Sequence, residues 1–169
     1  MDHELFEKGI KDSKKLTPKR RDTLYAWIQE HAELRSAVGF SSAQIIDRRG
    51  IVPATKLAMA DAMRKVLPDD CDKWEVKVLL DGGLHAHPIF TNQETIIKGD
   101  EKEVLIALAS VIAKVSRDRE MEKMGEQYPQ YDFAKHKGYG TKKHYEAIRK
   151  NGFCDEHRRS FLTRVVVDR

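Results

Sequence analysis

The sequence predicts an α/β fold in which helices sandwich a sheet. A near-continuous apolar run, "WEVKVLLDGG" (Trp74–Gly83), and the shorter "ETIIKGD" (Glu94–Asp100) read as strands that stop at an aspartate beside glycine. They alternate with stretches whose apolar residues recur every three or four positions, the spacing of a helix with one buried face. A chain of 169 residues suffices for one domain with a core and is short for two, so residues 1–169 are expected to form a single domain.

The elements follow in order. Thr17-Pro18 is an N-cap followed by a first-turn proline, opening a helix to about Ala32 with Leu24, Trp27, Ile28 and His31 on one stripe. "RSAVGF" (Arg35–Phe40) is a short strand candidate, and Ser41-Ser42 cap a short helix over Ala43–Arg48. "PATKLAMADAMRKVL" is a second amphipathic helix, with Leu57, Met59, Ala60, Met63 and Leu67 on or near its apolar face. After the two strands comes a long helix over Glu101–Tyr128, whose first half is almost wholly apolar and therefore expected to be buried. Thr141 then caps a last helix that ends before Gly152.

Composition narrows the class. Hydrophobic residues make up 40% and charged residues 34%, as in a soluble globular protein. No apolar run is long enough to span a bilayer, and "MDHELFEKGIK" is charged rather than signal-like. Cys71 and Cys154 show no metal-ligand spacing and suit a reducing cytosol, so a cytoplasmic monomer with no membrane partner is expected. The net charge of +4 is unevenly spread. Basic residues crowd into "KDSKKLTPKRR", "KHKGYGTKKH" and "EHRRSFLTR". Such clusters beside aromatics fit a phosphate-binding face, or equally an ordinary solvated surface.

Asp81 and Asp100 both stand at the C-terminal end of an expected strand, the edge where α/β sheets bind ligands. Singly, Asp81-Gly82 reads as a turn and Asp100 as a helix N-cap. Together, two carboxylates repel unless a cation or proton lies between them, and hard divalent ions such as Mg²⁺ or Mn²⁺ suit oxygen ligands. His85-x-His87 reads as solvent-facing loop, Asp118 as an ion-pair partner beside Arg117, and Trp27 and Trp74 as packing residues. His136 fits either a phosphate contact or open solvent.

Six ordered stretches, "KDSKKLT", "LLDG", "IIKGD", "ASVIAKVSRD", "YPQYDFAKHKGYGT" and "HRRSF", make the chain resemble the ribonuclease HII family from about Lys11 to Phe161. The resemblance implies a ribonuclease H-like mixed sheet with flanking helices. It implies an endoribonuclease that cuts the RNA strand of RNA–DNA hybrids and single ribonucleotides embedded in duplex DNA, using Mn²⁺ or Mg²⁺. Carried over by motif, Asp81 and Asp100 are metal-binding catalytic carboxylates, and Tyr139 is the tyrosine that stacks on the sugar and senses the 2′-hydroxyl. Ser13, Lys14 and Lys15 belong to a loop that touches backbone phosphates, with Lys137 and Arg158 as further nucleic-acid contacts.

The family opens with Gly-x-Asp-Glu-x-Gly-Arg-Gly on a first strand, and only "MDHELFEKGI" precedes "KDSKKL" here. Two of the family's four active-site carboxylates and its first hairpin are therefore not matched, and Asp2 and Glu4 do not replace them. The expectation is a truncated start or a fragment with impaired cleavage, exposed ladder groups and exposed apolar surface. The alternative is a non-catalytic remnant that binds hybrid or duplex nucleic acid.

Overall fold

A computed structural model describes residues 16–163 and residue 165. Ser13, Lys14 and Lys15, and with them the expected phosphate loop, lie outside the described residues, as do Asp2 and Glu4. The described residues gather into two compact units. One comprises the chain up to Phe40 with Lys56–Val115; the other comprises Ser41–Thr55 with the chain from Ser116 on.

Helix α1 (Pro18–Glu30) begins where its cap predicts: Thr17 Oγ1 accepts the Arg20 N–H at 3.4 Å. Ile28 is its buried residue, with Leu24 and Trp27 partly buried around it. Arg35–Phe40 runs extended but joins no ladder. Its groups bond elsewhere: the Val38 carbonyl accepts from Lys65 Nζ at 3.0 Å. Gly39 passes so close to Ala58 that any Cβ would overlap the Ala58 carbonyl. The expected strand is thus replaced by a segment pressed against a helix.

Helices α2 (Ala43–Arg49) and α3 (Ile51–Val66) follow. Ser42 caps α2, its hydroxyl accepting the Ile45 N–H at 3.3 Å. On α3, Leu57 and Ala60 face solvent, while Ala54 is buried and Met59 and Met63 turn inward. The apolar stripe read from the sequence is therefore displaced around the helix. Close approach at Gly39 and Ala58 favours small residues over leucine on the packed face.

Strands β1 (Val78–Asp81) and β2 (Gln93–Ile96) pair in parallel, with Val78 opposite Gln93 and Asp81 opposite Ile96. Leu80 is buried among Ala86, Phe90, Met59 and Met63, whereas Leu79 is only half-buried. One face is covered, not both as the apolar run suggests. Trp74, expected in the core, is 64% exposed, with its backbone N–H donating to Asp72 Oδ1 at 3.0 Å.

The expected long helix is two. A short α4 (Gly99–Lys102) ends at Glu103, whose extended backbone (φ −124°, ψ 121°) separates it from α5 (Val104–Gln127). Ile106, Ala107, Leu108, Val111, Ile112 and Val115 are buried, but Leu105, Ala109 and Ala113 face outward despite their apolar character.

In the other unit, α6 (Phe133–His136) and α7 (Lys142–Asn151) surround Tyr131, Phe133 and Ile148. Thr141 caps α7, accepting the His144 N–H at 3.3 Å, and Gly152 (φ 79°) closes it by donating to the Ile148 carbonyl. Tyr131 Oη donates to the Gly152 carbonyl at 2.9 Å, tying the end of that helix to the core.

Candidate functional site

Parallel pairing aligns the C-terminal ends of β1 and β2 on one edge of the sheet, where their last side chains converge. Gly82 N–H donates to the Ile96 carbonyl at 3.1 Å, and Gly82 then turns away in the left-handed region (φ 75°). After β2, Lys98 is also left-handed (φ 55°), swinging Gly99 and Asp100 back over the end of β1. The Gly99 N–H donates to Asp81 Oδ1 at 2.8 Å. Asp81 is exposed and Asp100 is only 3% exposed; the bond holds the Asp81 carboxylate on the residue that precedes Asp100.

Beside Asp81 lies an open groove of about 390 Å³, walled by Leu79, Leu105, Ala109 and Ala113. The outward-facing apolar residues of α5 line this groove, which explains why they are not in the core. β1 pairs with no other described strand on its second edge.

The carboxylate pair fits a hard divalent cation. Mg²⁺ in particular is held by one or two carboxylates, with waters and substrate phosphates completing its shell. Among the described residues, no group of three or more His, Cys, Asp or Glu is placed to hold a metal ion. The donor set is thus two oxygen-bearing side chains, compatible with such an ion but requiring further ligands.

The basic and aromatic residues belong to the other unit. The Tyr139 ring is 67% exposed, on a turn that includes left-handed Lys137 and Gly138. Lys137 Nζ pairs with Glu122 Oε1 at 2.6 Å, so its charge is already engaged. Arg158 lies over the Phe161 ring at 4.7 Å. The following turn is fixed by Asp47, which accepts the Arg159 and Ser160 N–H groups at 2.9 and 3.0 Å. The Ser160 hydroxyl, with those N–H groups, holds the Asp47 carboxyl below its usual range. Arg117 has its Nη2 3.2 Å from the place a Gly138 Cβ would occupy. Burial and then the charge of Arg158 lower its pKa.

His85 and His87 are exposed, as expected of a solvent-facing loop. His136 is neither at the surface nor directed at an anion: it is half-buried, between the Tyr131 carbonyl at 2.6 Å and the Gly138 N–H at 3.2 Å. His144 and His157, both buried, were not singled out by the sequence as site residues. Their spacing to one another carries no motif, and only the fold joins them.

Two carboxylate residues at the C-terminal edge of a parallel sheet in an α/β fold are suited to holding a divalent ion. The family model described as Ribonuclease HII matches residues 1–164. The ribonuclease HII of Endomicrobium trichonymphae is 47% identical over 152 residues, covering 90% of this chain and 70% of that protein. That of Caldicellulosiruptor bescii is 42% identical, covering 98% and 77%. That of Geobacillus kaustophilus is 46% identical, covering 90% of this chain and 56% of its own length. In structure, the chain is similar to the ribonuclease H2 from Pyrococcus horikoshii OT3, with a TM-score of 0.64 at 23% identity, covering 95% of this chain and 82% of that one. The likeness supports the ribonuclease H-like fold. The chain belongs to the ribonuclease HII family, metal-dependent endoribonucleases of RNA–DNA hybrids. Among the described residues no helix is long and apolar enough to cross a membrane.

Proposed function

We propose that Asp81 and Asp100 hold Mn²⁺ or Mg²⁺ at the phosphate to be cut, in RNA–DNA hybrids and at single ribonucleotides within duplex DNA. The observation that carries this reading is the Gly99 N–H clamp on Asp81, which sets its carboxylate beside buried Asp100 at the sheet edge. Of two divalent ions bound there, one would activate water and the other would stabilise the leaving 3′ oxygen. Tyr139 presents its ring to the sugar next to the cut, where a 2′-hydroxyl separates RNA from DNA. Arg158 and Lys137, with Ser13, Lys14 and Lys15, contact backbone phosphates and place the duplex without reading bases. The chain acts in the cytoplasm as a monomer.

The resemblance implies four carboxylates, of which Asp81 and Asp100 are two. A second reading, hybrid binding without cleavage, is favoured by the lack of a larger cluster of metal-binding side chains among the described residues. Calorimetric titration with Mn²⁺ tests the site: Asp100→Asn should weaken binding at least about tenfold, since a charged ligand is lost. An unchanged Mn²⁺ affinity would remove Asp100 from the site. Cleavage of a duplex with one ribonucleotide separates the two readings: slow, Mn²⁺-dependent cutting supports the enzyme, and tight binding with no cutting supports the remnant.

A further inference from the structure

Three histidines, His136, His144 and His157, cluster within one unit, and the catalytic reading leaves them unused. A buried neutral imidazole has one donor and one acceptor nitrogen, and both need partners. Around His144 and His157, the partners admit one arrangement of protons. The Tyr139 carbonyl, 3.0 Å from His144 Nδ1, can only accept, so Nδ1 carries the hydrogen. His144 Nε2 is then an acceptor, and His157 Nε2, 3.1 Å away, donates to it. His157 Nδ1 is left to accept, and the Cys154 N–H donates into it at 2.9 Å. An added proton on either ring sets two N–H groups face to face, between the rings or at Cys154.

The chain of bonds ends on the segment that carries Tyr139. His144 holds the Tyr139 carbonyl, and His136, stacked on His144 with centroids 4.1 Å apart, accepts the Gly138 N–H. The Tyr139 N–H donates to the His136 carbonyl at 2.9 Å. Lys137 is left-handed at φ 51°, a conformation a non-glycine side chain resists, so the turn needs such anchoring. The backbone of Tyr139 is fixed while its ring remains exposed.

We infer that His144, braced by His157 and the Cys154 N–H, is a positioning residue that holds the main chain of Tyr139 so that its ring meets the sugar in one orientation. This rests on the reading of Tyr139 as the ribose contact. The ionisable groups facing the pair are His136, Cys154, Arg159, Tyr131 and Tyr145. Burial first, and then His144, pushes His157 down to about 4, and burial lowers His144 as well. Both shifts favour the neutral rings that the chain of bonds requires.

Nitrogen-15 correlation spectra of the imidazoles at pH 7 read the arrangement directly. His144 is expected to be protonated at Nδ1 and His157 at Nε2; His144 protonated at Nε2 overturns the proposal. The functional readout is the ratio of affinities for a labelled duplex with one ribonucleotide and the same duplex in all-DNA form. His144→Phe keeps the ring and removes the donor, and is expected to lower that ratio about tenfold while moving the backbone amide signals of Gly138–Gly140. His144→Asn, with a donor near the Nδ1 position, should recover most of the ratio. A full ratio and unmoved amides in His144→Phe would sink the idea. Should that variant not fold, His157→Gln, which keeps an ε donor toward His144, must hold the ratio while His157→Leu loses it; equal loss in both overturns the proposal. Tyr139→Ala keeps the two readings apart. If it leaves the ratio unchanged while His144→Phe still shifts the amides, the ribose role of Tyr139 fails and the positioning role of His144 stands.

Discussion

The Gly99 N–H donates to Asp81 Oδ1 across 2.8 Å, so the residue before one carboxylate orients the other. A Cβ there would stand 2.6 Å from Ile106 Cδ1 and 3.4 Å from Asp81 Oδ1, so alanine fits only if the Ile106 side chain or α4 gives way. Gly99→Ala should therefore push α4 away from β1 and spread the pair. Overpacking of this kind costs about 1–3 kcal/mol. The expected outcome is a lower Tm together with Mn²⁺ binding weakened to a degree similar to Asp100→Asn. Thermal denaturation and calorimetry on the same variant check both halves.

His157 sets a pH limit on stability. Its folded pKa, about 4, lies below the ordinary value of 6.5, chiefly through burial. Between those values the unfolded chain binds more protons than the folded one, so stability rises with pH. The contribution is complete above about 6.5 and is lost as pH falls toward 4, at up to about 1.4 kcal/mol for each pH unit crossed. Urea unfolding at pH 7 and pH 4.5 should show the midpoint falling, and His157→Gln should flatten part of that fall. An unaltered slope in the variant would assign the acid sensitivity to other groups.

Local signals were read best where one residue decides an outcome. Thr17, Ser42 and Thr141 cap their helices as the sequence predicts, because a capping hydroxyl acts within three residues. Asp81 closes β1 and Asp100 follows β2 as the sequence predicts, because strand ends are local too; their metal-binding role is a proposal. The misreadings concern packing partners. Leu105, Ala109 and Ala113 look like core residues, but whether an apolar side chain is covered depends on what lies opposite, and here that is a groove. Arg35–Phe40 has strand composition, yet its carbonyl at Val38 goes to Lys65. The histidine pair was illegible for the same reason: His144 and His157 meet only because the unit folds around Tyr131 and Phe133.

Lys137 and Arg158 should differ in how they serve a nucleic-acid partner. Lys137 is held by Glu122 at 2.6 Å, whereas Arg158 rests on the Phe161 ring and makes no ion pair among the described residues. Each phosphate contact adds about 0.9 to the slope of log affinity against log salt. Arg158→Ala should reduce that slope for an RNA–DNA hybrid by about 1, and Lys137→Ala by clearly less. Fluorescence anisotropy over a KCl series gives both slopes. Equal reductions would show that the Lys137–Glu122 pair opens when the duplex binds.

Gly138 offers a separate handle on the Tyr139 turn. It is left-handed at φ 80°, and a Cβ there would lie 3.1 Å from Met121 Sδ and 3.2 Å from Arg117 Nη2. Gly138→Ala thus combines backbone strain of about 1–2 kcal/mol with crowding of the Arg117 guanidinium. Gly82 is the control: it is also left-handed, at φ 75°, but a Cβ there meets nothing within 4 Å. Both alanine variants should lose stability, Gly138→Ala the more. Only Gly138→Ala should also lower the preference for a ribonucleotide-containing duplex, because only that turn presents Tyr139. The measurement is the affinity ratio for paired duplexes alongside urea unfolding of each variant. A lowered ratio in Gly82→Ala as well would mean that discrimination depends on the end of β1 rather than on the tyrosine turn.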